Sequence, residues 1–214
     1  MSAFPLAGCF LPLNYRAREA PAAFFDETGD ITWQPDVYTH ALAVARELKV
    51  AHVVDYGCGA ARKLGPIVAE FPTYCYDCDN RNLAHARQAH PAAAQLAWLD
   101  LDAPVPVNLY RHQDGLVIAA DVIEHLLRPR RLLERCQHAR AIILSTPDRD
   151  RTHGMGHLGP PPNPAHVREW NLDEFLNLLH YSLPGFDIVT QFTRSNDRDP
   201  ALNTILATCR RRAS

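Results

Sequence analysis

Short apolar segments that suit buried strands alternate with helical segments through most of this 214-residue chain. Apolar residues at helical spacing separate the strand segments, and this alternation predicts a parallel sheet with helices on both faces. The last two strand segments have no helix between them, so we expect an antiparallel hairpin at one edge. The predicted strands are residues 51–56, 73–77, 95–100, 115–121, 140–146, 186–194 and 201–211. The predicted helices are residues 34–49, 62–71, 81–90, 128–139 and 171–183.

The composition excludes several classes of protein. The net charge is −2, so there is no global basic field for nucleic acid or an anionic membrane. No apolar run approaches the length of a membrane span, and the apolar N-terminus lacks a basic leader. The six cysteines include one metal-like pair, Cys75 and Cys78, without the second pair that a zinc ribbon needs. We therefore predict reduced thiols and a cytoplasmic location.

Four acids fall at the ends of predicted strands, namely Asp55, Asp77, Asp100 and Asp121. Ligands of open parallel sheets bind at the carboxyl ends of the strands. Each acid taken alone suits a helix cap, but their joint placement along one edge predicts a ligand site.

The first strand runs into two glycines, Gly57 and Gly59, which open the next segment. A dinucleotide fingerprint needs a third glycine, and here Ala61 and Arg62 follow instead. An acid at Asp55 would repel a pyrophosphate, on the order of a kcal/mol or more in a partly dry crevice. We therefore expect Asp55 to point into a glycine-lined crevice that binds a cationic or hydroxyl-rich ligand.

The ordered motifs carry a family resemblance. "DYGCG", "YDCDNRNLAHAR", "WLDLDAP", "VIAADVIEHLLRPRRLL" and "AIILSTP" follow one another along the chain. This series resembles the class I S-adenosylmethionine-dependent methyltransferases over roughly residues 35 to 210. The resemblance implies a Rossmann-like doubly wound sheet, with residues 35–214 as the methyltransferase domain and residues 1–34 as an N-terminal extension. The chain is also similar to small bacterial methyltransferases associated with sugars or secondary metabolites.

The resemblance implies S-adenosylmethionine as cofactor and S-adenosylhomocysteine as product, and it assigns roles to the strand ends. The glycines let the backbone approach the methionine part. Asp77 suits the ribose hydroxyls, Asp100 with Leu101 suits the adenine, and the carbonyls of Ala119 and Ala120 suit the ammonium group. The predicted cofactor-binding residues are Asp55, Gly57, Cys58, Gly59, Asp77, Cys78, Asp100, Leu101, Ala119, Ala120 and Asp121.

Methyl transfer to a hydroxyl needs a base, and histidine suits that role near neutral pH. Four histidines are candidates: His125, His153, His157 and His166. Three of them belong to residues 148–170, an irregular Pro/Gly-rich segment that we predict to be a mobile lid on the acceptor side. Trp170, with Arg168 and Glu169, is expected either to wall the acceptor pocket or to anchor the last helix.

Alternatives remain open for these residues and for the function. The loop histidines suit a solvated loop equally well, or a metal site with Asp148 or Asp150, and we assign no metal. We predict a small-molecule or sugar acceptor, methylated at oxygen, and a monomer or homodimer. A protein acceptor, or a non-catalytic module that binds S-adenosylmethionine, stays open. Nucleic acid is disfavoured because "AADVIEHL" replaces an N/D-P-P-Y/F motif after the fourth strand.

Overall fold

The computed structural model describes residues 9–24, 31–104 and 113–213, and in them one seven-stranded sheet forms the centre of the molecule. The strand order is β3-β2-β1-β4-β5-β7-β6. The first five strands pair in parallel, and β7 pairs antiparallel with both β5 and β6. The strands are β1 (His52–Tyr56), β2 (Thr73–Asp77), β3 (Gln95–Trp98), β4 (Gly115–Ala120), β5 (Ala141–Pro147), β6 (Phe186–Thr193) and β7 (Thr204–Arg211).

Helices cover both faces of the sheet because side chains alternate along the buried strands. Val53 of β1 and Ile118 of β4 pack with α1, α2 and α3, while Val54 and Val117 pack with α4 and α6 on the other face. The helices are α1 (Pro35–Leu48), α2 (Gly65–Val68), α3 (Asn80–Ala89), α4 (Pro129–Cys136), α5 (Arg149–His153) and α6 (Leu172–Ser182). The described residues include no helix with the length and apolar character to cross a bilayer.

The predicted alternation and the C-terminal antiparallel hairpin are confirmed, and the differences are local. The predicted helix at 62–71 shrinks to one turn, Gly65–Val68, and the third strand ends at Trp98 rather than at Asp100. Residues 148–170 were predicted to be irregular, but they contain α5, whose first turn is capped by the Asp148 carboxylate. This helix has only five residues, and a helix of that length is too short to show a hydrophobic repeat in the sequence.

The N-terminal segment lies against the domain rather than apart from it. Backbone amides of Arg16, Arg18 and Ala22 donate to carbonyls of Leu158, Val167 and Pro164, at 2.7–2.8 Å. Residues 9–24 thus form a strap across the segment that follows β5. The rest of the predicted extension, residues 1–8 and 25–30, lies outside the described residues, and the domain boundary stays a prediction.

Helix α6 begins with the expected capping box. The Asn171 side chain accepts from the Glu174 amide, and the Glu174 carboxylate accepts from the Asn171 amide, at 3.0 and 3.1 Å. We expect Asn171→Ala to lower the free energy of unfolding by about 1 kcal/mol, because the Glu174 amide loses the side-chain oxygen that accepts from it. Urea denaturation measures this change. Asn177→Ala, at an exposed position of the same helix, is the control and should be neutral or slightly stabilising. Equal effects at both positions would contradict the capping role.

Candidate active site

Two cavities meet at the carboxyl ends of β1, β2 and β4. Their volumes are about 330 and 350 Å³, and they share Phe24, Gly57, Gly59 and Asp121 as lining residues. The first cavity is also lined by Cys58 and Ala120, and the second by Asp77, Cys78, Asp100 and Leu101. Together they form one crevice, and the predicted cofactor-binding residues line it, except for Asp55 and Ala119.

The glycine turn forms the floor that the two cavities share. Gly57 and Gly59 have φ angles of +71° and +55°, which favour glycine. A Cβ atom on Gly57 would lie 2.5 Å from Cγ2 of Val122. The backbone can therefore pass next to Val122 only because this residue has no side chain. Ala61 also has a positive φ, +57°, although it is not a glycine.

Asp77 holds the glycine turn against the end of β2. Its carboxylate accepts from the amides of Gly59 and Asp79, at 2.9 and 2.8 Å, and from the Asn82 side chain at 3.2 Å. The side chain is almost buried but still borders the second cavity. One carboxylate thus shapes the turn and offers negative charge to a ligand.

Asp55 does not point into the crevice, and that expectation is wrong. The residue is fully buried inside β1, lines neither cavity, and accepts a hydrogen bond from the Tyr38 hydroxyl at 3.1 Å. Burial raises its pKa to about 7, against smaller lowering effects of Tyr38 and Lys63. Ala119 is also completely buried behind the crevice wall. Neither residue lines the two cavities, and a role of either one in binding a ligand stays a prediction.

Asp121 follows β4 in a left-handed conformation, with φ of +60°, and lines both cavities. The amide of Gln34 donates to it at 2.8 Å, and the Ser145 hydroxyl donates to the Gln34 side-chain oxygen. Gln34 is itself buried and left-handed. Sequence reasoning missed Gln34, because a lone glutamine before a helix carries no pattern that indicates a site.

The four candidate histidines converge. The rings of His125 and His166 lie 4.6 Å apart, and those of His153 and His157 lie 5.0 Å apart. Buried Glu169 joins the two pairs, accepting from His166 at 2.5 Å and from His153 at 2.7 Å if those nitrogens carry the proton. Of the four histidines, only His125 lines either of these two cavities, and burial lowers its pKa.

Both ends of the predicted lid, residues 148–170, are buried in the domain. Asp148 and Arg149 are buried, and so is the whole run from Ala165 to Trp170. Trp170 donates to the Cys9 carbonyl at 2.8 Å, and Arg168 donates to the Leu126 carbonyl at 2.9 Å. Trp170, Arg168 and Glu169 line neither cavity, so they anchor this run and do not wall the pocket. Movement of residues 150–164 remains a prediction.

The alternative of a metal site that includes Asp148 or Asp150 does not form among the described residues. Asp148 caps α5, and Asp150 accepts from the Asn171 side chain at 3.0 Å and pairs with Arg149. The structure instead groups Glu124 with His125 and His166. Burial, followed by the neighbouring Asp121 carboxylate, raises the pKa of Glu124 well above its ordinary value. Glu124 was not among the predicted site residues, although its place beside His125 in "DVIEHL" was a signal.

Comparison with solved structures identifies the fold. The methyltransferase domain of bacterial CtHen1 superimposes with a TM-score of 0.62 at 16% identity, over 84% of this chain and 100% of that one. The chain has the class I methyltransferase fold. Magnesium protoporphyrin IX methyltransferase from Synechocystis PCC 6803, with S-adenosylhomocysteine bound, also matches this fold. Its TM-score is 0.62 at 18% identity, over 87% of this chain and 90% of that one.

A third structure with the class I methyltransferase fold is the N-terminal domain of EvdMO1, also with S-adenosylhomocysteine bound. It matches with a TM-score of 0.63 at 16% identity, over 90% of both chains. No protein-family model and no curated sequence is similar enough to match the chain. The fold predicted from the ordered motifs is therefore confirmed by tertiary structure, at identities where the sequences alone are far apart.

Proposed function

We propose that the protein is an enzyme that binds S-adenosylmethionine in the crevice and transfers its methyl group to an oxygen of a small-molecule or sugar acceptor. The observation that carries this proposal is the crevice itself, in which Gly57, Gly59 and Asp121 join two cavities. The cavity with Asp77, Asp100 and Leu101 suits the adenosine, and the cavity with Cys58 and Ala120 suits the methionine part. Bound S-adenosylhomocysteine in two structures of the same fold supports this assignment.

The charges in the crevice suit this cofactor. S-adenosylmethionine carries an ammonium and a sulfonium, and Asp121 borders both cavities. Asp77 and Asp100 offer carboxylate oxygens to hydroxyl and amine donors. Methyl transfer requires the acceptor in line with the methyl group and the sulfur, and such positioning would supply several kcal/mol of the rate enhancement.

The acceptor would enter beside His125. This histidine lines the second cavity together with Val122, Leu126 and Ala165, at the end of the crevice where the strap and the buried run meet. The centroids of the Phe24 and His125 rings lie 5.1 Å apart. The apolar Phe24 side chain of the strap therefore lies next to the polar His125 side chain in this part of the cavity. A ring-bearing hydroxyl compound suits this mixed surface.

Other acceptors are outcomes to be tested. One solved structure of the same fold is named a small RNA methyltransferase, and this chain spans 27% of it. Here the formal charge is −2, which provides no broad basic field for RNA. A protein acceptor stays an alternative, as does a non-catalytic module. A cytoplasmic location and a monomer or homodimer are part of the proposal.

Calorimetry tests the cofactor assignment. We expect S-adenosylhomocysteine to bind the wild-type chain and NAD not to bind. Asp77→Ala should weaken binding roughly tenfold to a hundredfold, because it removes a charge-assisted contact of about 1.5–3 kcal/mol. Asp187→Ala, at an exposed carboxylate of β6, is the matched control and should leave affinity unchanged. Unchanged binding in Asp77→Ala would remove Asp77 from the site.

A turnover screen tests the acceptor. Release of S-adenosylhomocysteine is measured with sugars, phenols and small RNA as separate arms. Turnover with a sugar or phenol, and methylation at its oxygen, is the expected result. Turnover with RNA alone would replace the small-molecule proposal, and cofactor binding without turnover in any arm would favour the non-catalytic module.

A further inference from the structure

Glu124, His125 and His166 form a cluster beside the crevice, although His166 is 41 positions after His125. One potential ligand atom of each residue lies within 4.8 Å of the corresponding atoms of the other two. Glu124 and His125 belong to the turn Ile123–His125 that follows β4. The buried run Ala165–Trp170 brings His166 to this turn, and the Val167 amide donates to the Glu124 carbonyl at 2.8 Å.

Each histidine of the cluster is oriented through its Nδ1 atom. On His125, Nδ1 lies 3.1 Å from the Ala165 carbonyl, which can only accept, so this nitrogen carries the proton. On His166, Nδ1 lies 2.5 Å from a Glu169 carboxylate oxygen. Metal-binding histidines are held in this way, by a carbonyl or carboxylate on the nitrogen that faces away from the ion.

The opposite nitrogens are the ones that an ion would use. Nε2 of His125 is buried and has no hydrogen-bond partner among the described residues. Nε2 of His166 lies 3.0 Å from the amide of Asn163, an exposed residue that can turn away into solvent. With the proton of each ring on Nδ1, both Nε2 atoms are available to an ion at one place.

Glu124 is the third group. Its side chain is completely buried beside the Asp121 carboxyl, and no side-chain N–H group of the described residues donates to either of its carboxylate oxygens. Buried carboxylates are ordinarily paired or bound to a metal, since an unpaired one is costly. A cation held between Glu124 and the two imidazoles would supply the missing partner.

We propose that Glu124, His125 and His166 bind a divalent first-row transition-metal ion. Two imidazoles and one carboxylate suit Mn²⁺, Fe²⁺, Co²⁺ or Zn²⁺ better than Mg²⁺ or Ca²⁺, which prefer oxygen ligands alone. Three protein ligands leave coordination positions open for a substrate oxygen. Glu169 and the Ala165 carbonyl hold the two rings from behind.

The role of this ion rests on the proposed function. His125 lines the second cavity, so the ion would lie at the acceptor end of the crevice. There it would bind the acceptor hydroxyl and lower its pKa, which releases the hydroxyl proton to solvent. The oxygen then forms a bond to the methyl carbon, the carbon–sulfur bond breaks, and its electron pair stays on sulfur. The products are the methyl ether and S-adenosylhomocysteine.

Metal binding is measured directly on the full chain. After chelator treatment, calorimetry with Co²⁺ and with Zn²⁺ should give one site per chain. Glu124→Gln keeps the shape of the side chain and His166→Ala removes one imidazole, and we expect each to weaken binding at least a hundredfold. Asn163→Ala should leave binding unchanged or stronger. His180→Ala, at an exposed position of α6, is the control and should bind as the wild type does.

Two further readouts keep the test decisive. The visible spectrum of the Co²⁺-loaded chain should report nitrogen and oxygen ligands and should change in His125→Gln. Co²⁺ should raise the midpoint of thermal unfolding in the wild type but not in Glu124→Gln, while circular dichroism checks that the variant is folded. Absence of a Co²⁺ or Zn²⁺ site, or equal affinity in folded Glu124→Gln and the wild type, overturns the proposal.

The outcome separates this inference from the proposed function. Binding of S-adenosylhomocysteine without a metal site would contradict the metal inference and would remain consistent with the methyltransferase proposal. A metal site without cofactor binding would do the reverse. With an acceptor in hand, a chelator should abolish turnover and Co²⁺ or Mn²⁺ should restore it, with cofactor affinity within about twofold. Turnover that resists the chelator but fails in His125→Ala would instead assign a base to His125 and overturn the metal.

Discussion

Gly57→Ala should abolish measurable binding of S-adenosylhomocysteine and lower the free energy of unfolding by about 2–4 kcal/mol. Two costs combine at this position. The φ angle of +71° is unfavourable for alanine, and the new methyl would lie 2.5 Å from Cγ2 of Val122, a buried and branched side chain. Val122 also lines the second cavity, so its displacement would distort the crevice as well as the turn.

Other glycines of the chain separate these two costs. Gly154 has φ of +86° and ψ of 155° with open space around it, so Gly154→Ala should show a backbone cost alone, about 1–3 kcal/mol. Gly185 has neither a positive φ nor a close neighbour, and Gly185→Ala should change stability by less than about 0.5 kcal/mol. Urea denaturation and calorimetry give both quantities. Normal cofactor affinity in folded Gly57→Ala would show that the close approach to Val122 does not matter for binding.

The second large effect is a change in how stability depends on pH. The folded pKa of Asp55 is about 7, raised chiefly by burial, whereas an unfolded aspartate titrates near its ordinary 3.8. Between these values the folded chain keeps a proton that the unfolded chain has released. The contribution of Asp55 to stability is therefore greatest below about pH 4 and falls until about pH 7, by roughly 4 kcal/mol for a shift of about three units.

Asp55→Asn should remove this contribution. Asparagine cannot ionise, and its oxygen can still accept from the Tyr38 hydroxyl. The difference in unfolding free energy between Asp55→Asn and the wild type should move in favour of the variant as the pH rises from 4 to 8. Tyr38→Phe is the companion variant, and it should steepen the pH dependence because the Tyr38 bond lowers the Asp55 pKa. Parallel stability curves for Asp55→Asn and the wild type would show that Asp55 ionises normally in the folded chain.

Part of the candidate site could be read from strand ends. Parallel strands present their carboxyl ends at one edge, and so Asp77, Asp100 and Asp121 were expected together there and do line one crevice. Asp55 belongs to the same edge, but it lies one residue before the end of β1. It falls inside β1, and its side chain meets Tyr38 of α1 instead of the cavity. Which way a side chain points at a strand end depends on where pairing stops, and neighbouring strands decide that.

For the histidines too, the sequence indicates the chemistry of each residue, and only the tertiary structure shows which of them lie together. Each could be named from its chemistry, but no sequence pattern joins His125 to His166 or places Glu169 between His166 and His153. Contacts distant in sequence decide these positions: the strap binds residues 158–167, and Val167 binds the turn of Glu124. Trp170 is likewise a core residue because the strap covers it, through the Cys9 carbonyl.

The sequence by itself determined the alternation of strands and helices, the glycine turn after β1, the capped start of α6 and the antiparallel end of the sheet. These features depend on local periodicity, on φ angles open to glycine and on hydrogen bonds between near neighbours. Only the tertiary structure decided that Asp55 is buried, that Gln34 holds Asp121, and that Glu124 meets two histidines from distant segments. Burial and long-range packing set those contacts, and the identity of each residue leaves many packings open.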